Sequence, residues 1–313
     1  MKFDAYKELV PILDGMRAKG ELEYTKDAPL ALVSSFRIGG PADFAVWPYT
    51  RAALLDVVIA LRRLGIRRDV FGNGSNVLFA DEGYRGVAIF TTKMNRTVLR
   101  DGILWADAGA SFTGLAVRAL QEGLTGLEFA YGIPGSVGGA IYMNAGAYDG
   151  EIAQVCRETT VYDPAQALLG GISEIGGDAQ GFGYRTSAFQ FMEGAVILGG
   201  KFKLKPGDPA EIKAKMDDLM ARRRGKQPLE YPSAGSTFKR APGYFTAKLI
   251  HEAGLKGAAV GGAQVSEKHA GFVINRGDAT AKDVLTLIEQ IKDRIWQHFG
   301  VAIECEVRII PER

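Results

Sequence analysis

The sequence is poor in the residues that build metal and redox centres. Only two of its 313 residues are cysteines, Cys156 and Cys305, and only three are histidines, His251, His269 and His298. Neither set has ligand spacing, so neither a metal site nor a disulfide framework is expected, and both cysteines read as small buried hydrophobes. Excess charge is also lacking. Lys+Arg number 38 against 36 Asp+Glu, so global charge does not mark a nucleic-acid binder, and any anion must be held by local geometry. No long apolar run is present: Leu54–Leu61 is broken by Asp56 and too short to span a bilayer. The opening MKFDAYKELVPIL carries Asp4, Lys7 and Glu8 where a signal peptide needs an unbroken apolar core. These absences point to a cytoplasmic chain with no membrane, nucleic-acid or obligate protein partner. Three signatures are missing as well: no G-x-G-x-x-G, no P-loop and no G-x-S-x-G elbow occurs, which disfavours Rossmann, Walker and hydrolase chemistry.

What the chain does have is a globular composition, 47% hydrophobic and 24% charged, and a length beyond one hydrophobic core. It also has 40 glycines, without a period, clustered in short loops. Helices are expected over 3–19, interrupted by Pro11, over 50–65 with Leu54, Val57, Val58 and Leu61 on one face, and from Ser111 to about Glu122. Strands are expected at 43–47, 68–71, 77–80, 87–91, 97–100, 103–107, 159–163 and 196–204, with residues 123–150 as ordered loop. Lys205-Pro206-Gly207-Asp208-Pro209 punctuates the chain, Asp208 capping the helix that follows. Near the C-terminus, Thr280 and Asp283 form a capping-box-like start to a helix with Val284, Leu287, Ile288, Ile291 and Ile295 as its stripe. A strand from Val301 to Ile310 closes the chain.

Five segments carry candidate chemistry. Gly72-Asn73-Gly74-Ser75-Asn76 follows a strand, where small residues expose amide groups that cradle phosphate; the bland alternative is a tight turn. Gly132-Ile133-Pro134-Gly135-Ser136-Val137-Gly138-Gly139 puts four glycines in eight residues, an entropic cost that calls for a compensating use. The two loops, about sixty residues apart, are placed to grip one long dinucleotide from two sides. Arg185 stands among Phe182, Tyr184 and Phe189, ready for a carboxylate or phosphate, or simply a snorkelling surface cation. Ser236, followed by Lys239 and Arg240, binds substrate, donates a proton, or serves as a structural serine. In the terminal strand, alternation puts Glu304, Glu306 and Arg308 opposite the apolar face, as a solvated edge or as a carboxylate beside a substrate. Arg222-Arg223-Arg224-Gly225-Lys226 ends a helix, where cations suit the dipole and a solvated face is the default.

In order along the chain, SFRIGGPADF, GNGSNVL, GIPGSVGGAIYMNAGAY, FGYRTSAF, RRRGKQPLEYPSAGSTFKR, VSEKHAGFVIN and IECEVRII closely resemble the UDP-N-acetylenolpyruvoylglucosamine reductase family, from Ser35 to Arg308. The resemblance implies an α+β fold: a vanillyl-alcohol-oxidase-type (PCMH-type) FAD-binding region of two subdomains, then a C-terminal α+β substrate domain. It divides the chain into 1–205, with subdomains of about 20–92 and 93–205 behind an N-terminal helix, and 206–313. FAD would contact Gly72, Asn73, Gly74, Ser75 and Asn76, and Gly132, Ile133, Gly135, Ser136, Gly138 and Gly139. The family's catalytic trio falls on Arg185, Ser236 and Glu306, with Tyr184, Lys239, Arg240 and His269 at the UDP-sugar. NADPH would be the co-substrate, and the activity a reduction of UDP-N-acetylglucosamine enolpyruvate in peptidoglycan precursor synthesis. Two departures from the family pattern are visible. Ser35 stands where threonine is usual, keeping the hydroxyl, and the spacing before FGYR leaves no room for one subgroup's tyrosine-bearing insertion. Competing readings are an oxygen-using flavin oxidase of the same superfamily and a silent nucleotide-sugar sensor.

Overall fold

A computed structural model describes residues 2–311, which form two compact units. The first comprises Met1–Lys26, Phe44–Asn73 and Gly86–Ala221; the second Asp27–Asp43, Gly74–Arg85 and Arg222–Arg313. The chain therefore passes between them several times.

The first unit holds two hydrophobic cores. One is built by the helices Lys2–Ala18 and Arg51–Arg63 with most of a four-stranded sheet, in the order Leu22–Pro29, Pro41–Pro48, Tyr84–Phe90, Arg68–Phe71. Thr50 caps the second helix, its hydroxyl accepting from Ala53 N at 3.1 Å, and the expected stripe Leu54, Val57, Val58 and Leu61 is buried with Leu9, Leu13, Phe44, Val46 and Ile89. Pro11 does not interrupt the opening helix, which is continuous. Strand Arg68–Phe71 runs parallel to Tyr84–Phe90, pairing Arg68 with Val87 and Phe71 with Phe90.

The other core lies on a five-stranded antiparallel sheet in the order Ile172–Gly176, Cys156–Tyr162, Val196–Lys203, Ile103–Asp107, Thr97–Arg100. Leu104, Val161 and Phe202 pack there with Phe112 and Leu115 of helix Phe112–Gln121 and with Ile141. Ile141 belongs to a helix, Val137–Tyr142, in the stretch expected to be loop. Its glycines lower intrinsic helix propensity and hide it from a sequence pattern. Asp208 caps as expected, its carboxylate accepting from Ala210 N at 2.7 Å, before helix Pro209–Lys226.

The second unit has one core. The helix Ala281–Phe299 begins with a true capping box between Thr280 and Asp283, ends at Gly300 in the left-handed conformation, and buries the whole expected stripe. Its partners include Phe36, Ile38, Leu78, Ile250, Val265 and Val273. Small sheets frame it: Ala259–Val260, Ala263–Val265 and Val273–Asn275 pair antiparallel, and Val77–Phe79 pairs in parallel with Arg308–Ile310. The terminal strand is much shorter than expected, covering only Arg308–Ile310. Residues 301–307 instead make irregular bonds: Lys239 N donates to Glu304 O at 2.9 Å and Glu306 N to Thr237 O at 2.8 Å. A single bridge joins Phe238 and Cys305. Alternation fails accordingly, Val307 and Ile310 being buried while Ile309 is only partly so.

Candidate active site

In the first unit the two glycine loops meet. Strand Arg68–Phe71 delivers Gly72 against Ser136, so closely that a Cβ on Gly72 would collide with the serine hydroxyl. Next to it Asn73 Nδ2 donates to Pro134 O at 2.6 Å. Ser136 is also the cap of helix Val137–Tyr142, accepting from Gly139 N at 3.2 Å. Gly138 N donates to Ala108 O at 2.7 Å, and a Cβ there would lie 2.9 Å from that of Ala108. Gly132, at φ +88°, donates its N–H to Thr113 Oγ1, which in turn donates to Ile133 O at 3.0 Å, and Phe112 N donates to Gly135 O at 2.9 Å. The second loop is thus pinned through its backbone groups by Ala108, Phe112 and Thr113.

The other end of the short helix holds Arg185. Tyr142 O accepts from both Ser187 Oγ and Gln190 Nε2, each at 2.8 Å. Gln190 Nε2 also reaches Arg185 O at 3.2 Å, and buried Asn144 donates to Gly183 O at 2.9 Å. Gly183 and Thr186 exchange backbone bonds around a turn in which Arg185 sits at φ +56°, strained backbone for a side-chain-bearing residue. The guanidinium lies 5.1 Å from the Tyr184 ring centroid and donates to Gly146 O at 3.0 Å. Sequence reasoning missed Asn144 and Gln190 as positioning residues. Asn144 stands inside YMNAGAY, a motif already singled out, whereas Gln190 carries no sequence signal.

In the second unit, Gly74 to Asn76 are fixed by their carbonyls. Gly74 O accepts from Ser35 N at 3.1 Å and Asn76 O from Arg308 N at 3.0 Å. Gly74, at φ +59°, has no space for a Cβ beside Val33 O. The Ser35 hydroxyl donates to Ser233 O at 2.7 Å, a use that explains why serine serves in place of threonine. Asn76 Nδ2 donates to Glu306 O at 3.2 Å. Across Gly72 to Asn76, no amide N–H donates to a protein acceptor among the described residues. Pinned carbonyls with successive uncommitted amides are an arrangement suited to an anion, whereas a Cβ at Gly72 would meet Ser136. The residues present therefore fit a cofactor pyrophosphate.

The same unit brings the remaining candidates together along the backbone. Segment Ser236–Lys239 lies beside Glu304–Glu306 through the bonds given above, and Thr237 N donates to Gly271 O at 2.8 Å. The Ser236 hydroxyl has no hydrogen-bond partner among the described residues, after Gly235 at φ +76°. Lys239 Nζ pairs with Glu304 at 3.1 Å, and Arg240 lies 5.3 Å from the Phe245 ring centroid. Gly271 N donates to His269 Nδ1 at 3.1 Å, leaving the other ring nitrogen to carry the proton of the neutral imidazole. Burial holds the His269 pKa below its ordinary value, so it stays neutral near pH 7. Of the basic run, Arg223 is buried rather than solvated and donates to Gln227 at 3.1 Å.

Comparison with known proteins then decides the family. A family model described as "UDP-N-acetylenolpyruvoylglucosamine reductase, C-terminal domain" matches residues 227–310, and one described as "FAD binding domain" matches residues 42–168. A UDP-N-acetylenolpyruvoylglucosamine reductase of Clostridium novyi is 46% identical over 99% of this chain and 97% of its own length. One of Geobacillus kaustophilus is 45% identical over 98% and 97%. The chain belongs to the UDP-N-acetylenolpyruvoylglucosamine reductase family. A solved UDP-N-acetylenolpyruvylglucosamine reductase (MurB) from Thermus caldophilus aligns with a TM-score of 0.77 at 34% identity, covering 93% of this chain and 99% of that one. The α+β fold with an FAD-binding region, expected from the resemblance, is thereby borne out, and FAD is the cofactor. Among the described residues no cluster of His, Cys, Asp and Glu could hold a metal ion, and no helix is long and apolar enough to cross a membrane.

Proposed function

We propose that this chain reduces the enolpyruvyl double bond of UDP-N-acetylglucosamine enolpyruvate at the expense of NADPH, yielding UDP-N-acetylmuramate for peptidoglycan precursor synthesis in the cytoplasm. The observation that carries it is likeness over the full length, 46% identity across 99% of the chain, to a reductase of that name. FAD, when bound, supplies the two-electron relay between nicotinamide and alkene. Its pyrophosphate would rest on the free amides of Gly72 to Asn76, with the Gly132 to Gly139 loop as the second wall.

The protein's own groups then manage charge and protons on the substrate. Hydride adds to the terminal vinyl carbon, and negative charge develops on the neighbouring carbon and spreads into the attached carboxylate. Arg185 is suited to receive that charge, because Tyr184, Gly146 and Gln190 fix its turn before substrate arrives. Preorganised donors of this kind are commonly worth about 3–4 kcal/mol each. Glu306 is assigned a proton or a water for the substrate, the role that the family resemblance gives it. Ser236 delivers a proton to the carbanionic carbon, a role open to a hydroxyl not committed to any described protein acceptor. Lys239 and Arg240 offer positive charge to the diphosphate, and neutral His269 offers one ring N–H to the sugar nucleotide.

The test separates the two half-reactions. Under anaerobic conditions Ser236→Ala should let NADPH bleach the flavin absorbance at the wild-type rate. Subsequent reoxidation by the enolpyruvyl UDP-sugar should slow by roughly 10²–10⁴-fold, the usual worth of general acid catalysis. Equal loss in both halves removes Ser236 from its assigned role, and rapid turnover with oxygen but not with NADPH would favour an oxidase.

A further inference from the structure

Apart from their direct contact at Gly72 and Ser136, the two glycine loops are linked a second time, through one buried threonine. Thr91 follows strand Tyr84–Phe90, where the chain turns into the short 3₁₀ segment Thr91–Lys93, and only 3% of it is exposed. Its hydroxyl donates to Phe71 O at 3.2 Å, the carbonyl immediately before Gly72. Its own carbonyl accepts from Met94 N at 2.7 Å and lies so close to Gly109 that a Cβ there would overlap it. Gly109 is not at a positive φ, so this contact alone demands glycine. Gly109 is also the middle of the seat that carries the second loop. Val137 N donates to Ala110 O at 2.8 Å and Gly138 N to Ala108 O at 2.7 Å. The seat is itself anchored. Ala108 N donates to Leu198 O and Ala110 N to Asp107 O, each at 3.0 Å, while the Asp107 carboxylate accepts from Arg51 Nε at 2.6 Å.

We propose that Thr91 is a positioning residue for the cofactor. It sets the spacing between the strand end that delivers Gly72 and the seat that carries Val137 and Gly138. The inference rests on the proposed placement of FAD at the two loops and names what holds them in register for it. A threonine needed for folding alone requires a filled volume and any acceptor. Here the hydroxyl goes to the residue entering the first loop, and the carbonyl goes to the seat of the second. Branching at Cβ restricts the side chain to few rotamers, which holds the hydroxyl on its acceptor. A preorganised surface loses less entropy when its ligand arrives, so a loosened spacing is felt in how long the cofactor stays bound.

Release of FAD from the loaded full chain on dilution, followed by flavin fluorescence, tests this. Thr91→Val keeps the shape and removes the hydroxyl, and should speed release roughly three- to tenfold, the worth of one hydrogen bond. Thr91→Ser keeps the hydroxyl and should release FAD within about twofold of the wild-type rate. Gly109→Ala should speed release about tenfold or more, because its methyl group drives the seat off the Thr91 carbonyl. Thermal midpoints of the valine and serine chains stripped of FAD should agree closely. Release from Thr91→Val at the wild-type rate overturns the proposal. So does equal acceleration in the valine and serine variants, which would make packing rather than the hydroxyl the agent. A stripped valine chain that melts far below the serine one assigns the hydroxyl to folding, with the same result. Should Gly109→Ala not fold, the two Thr91 variants decide alone. Gly72→Ala keeps the underlying placement apart: unchanged release from it removes FAD from these loops. Fast release from Gly72→Ala with wild-type release from Thr91→Val removes only the role of Thr91.

Discussion

At Gly72 a methyl group would meet the Ser136 hydroxyl, while the neighbouring Asn73 amide already bonds Pro134. Neither partner has room to retreat, because Ser136 caps a helix whose next residues bond Ala110 and Ala108. Gly72→Ala should therefore push the two glycine loops apart and weaken FAD binding by about tenfold or more, read by flavin fluorescence titration. Because the obstacle is chiefly a side chain, adding Ser136→Gly should recover part of the affinity; a double variant no better than the single one would show that the loops do not act together. The glycine at this position was legible as a possible close approach. Its reason was not, since Ser136 lies more than sixty residues away in sequence. Arg185 shows the same limit at residue scale. Its chemistry follows from being an arginine among aromatics, but its strained turn depends on Asn144 and Gln190, whose carbonyl partners no sequence pattern specifies.

The helix Ala281–Phe299 shows how far local pattern reaches at the scale of an element. Its stripe and its capping box were both readable, and both are present. Unreadable was Asp81, two hundred residues earlier, whose carboxylate accepts from Ala281 N at 2.7 Å and Lys282 N at 2.9 Å. With the Thr280 and Asp283 exchange, this satisfies the whole first turn and places negative charge at the positive end of the helix dipole. Asp81→Ala should destabilise the chain by about 1–3 kcal/mol, the range for charge-assisted bonds, against about 1 kcal/mol for Thr280→Ala. Chemical denaturation of both variants beside an exposed control, Asp293→Ala, checks the order. Where elements were misjudged, the cause is the same kind of distant partner. Val301–Val307 alternates like a strand but bonds irregularly to Thr237 and Lys239, and Val137–Tyr142 is a helix because Ser136 caps it and Ala108 accepts its glycine backbone. Composition and periodicity report the chain's own preferences, whereas these choices belong to its partners.

At the scale of the molecule, the proposed division at 205/206 separates a cofactor region from a substrate region by role, but the second unit's core draws on residues from both sides of it. Phe36, Ile38 and Leu78 are almost wholly buried among Ile250, Val265, Leu287 and Ile291. Each forfeits roughly 1.5–3 kcal/mol if it is missing, and together that rivals the net stability of a typical domain. Removing residues 1–205 also strips buried Asn275 of its bond to Phe36 O, at 3.1 Å, and the helix Ala281–Phe299 of Asp81. An amide left unbonded in a core costs more than the bond itself contributed. Residues 206–313 expressed alone should therefore show helical far-ultraviolet dichroism without a cooperative melt, and should bind a hydrophobic dye, as a collapsed chain without fixed packing does. Supplying residues 1–205 in trans should restore cooperativity, since they carry the three missing side chains and both missing acceptors. A fragment that melts sharply by itself would mean that Phe36, Ile38 and Leu78 cover the core rather than complete it, and the two regions could then be studied apart.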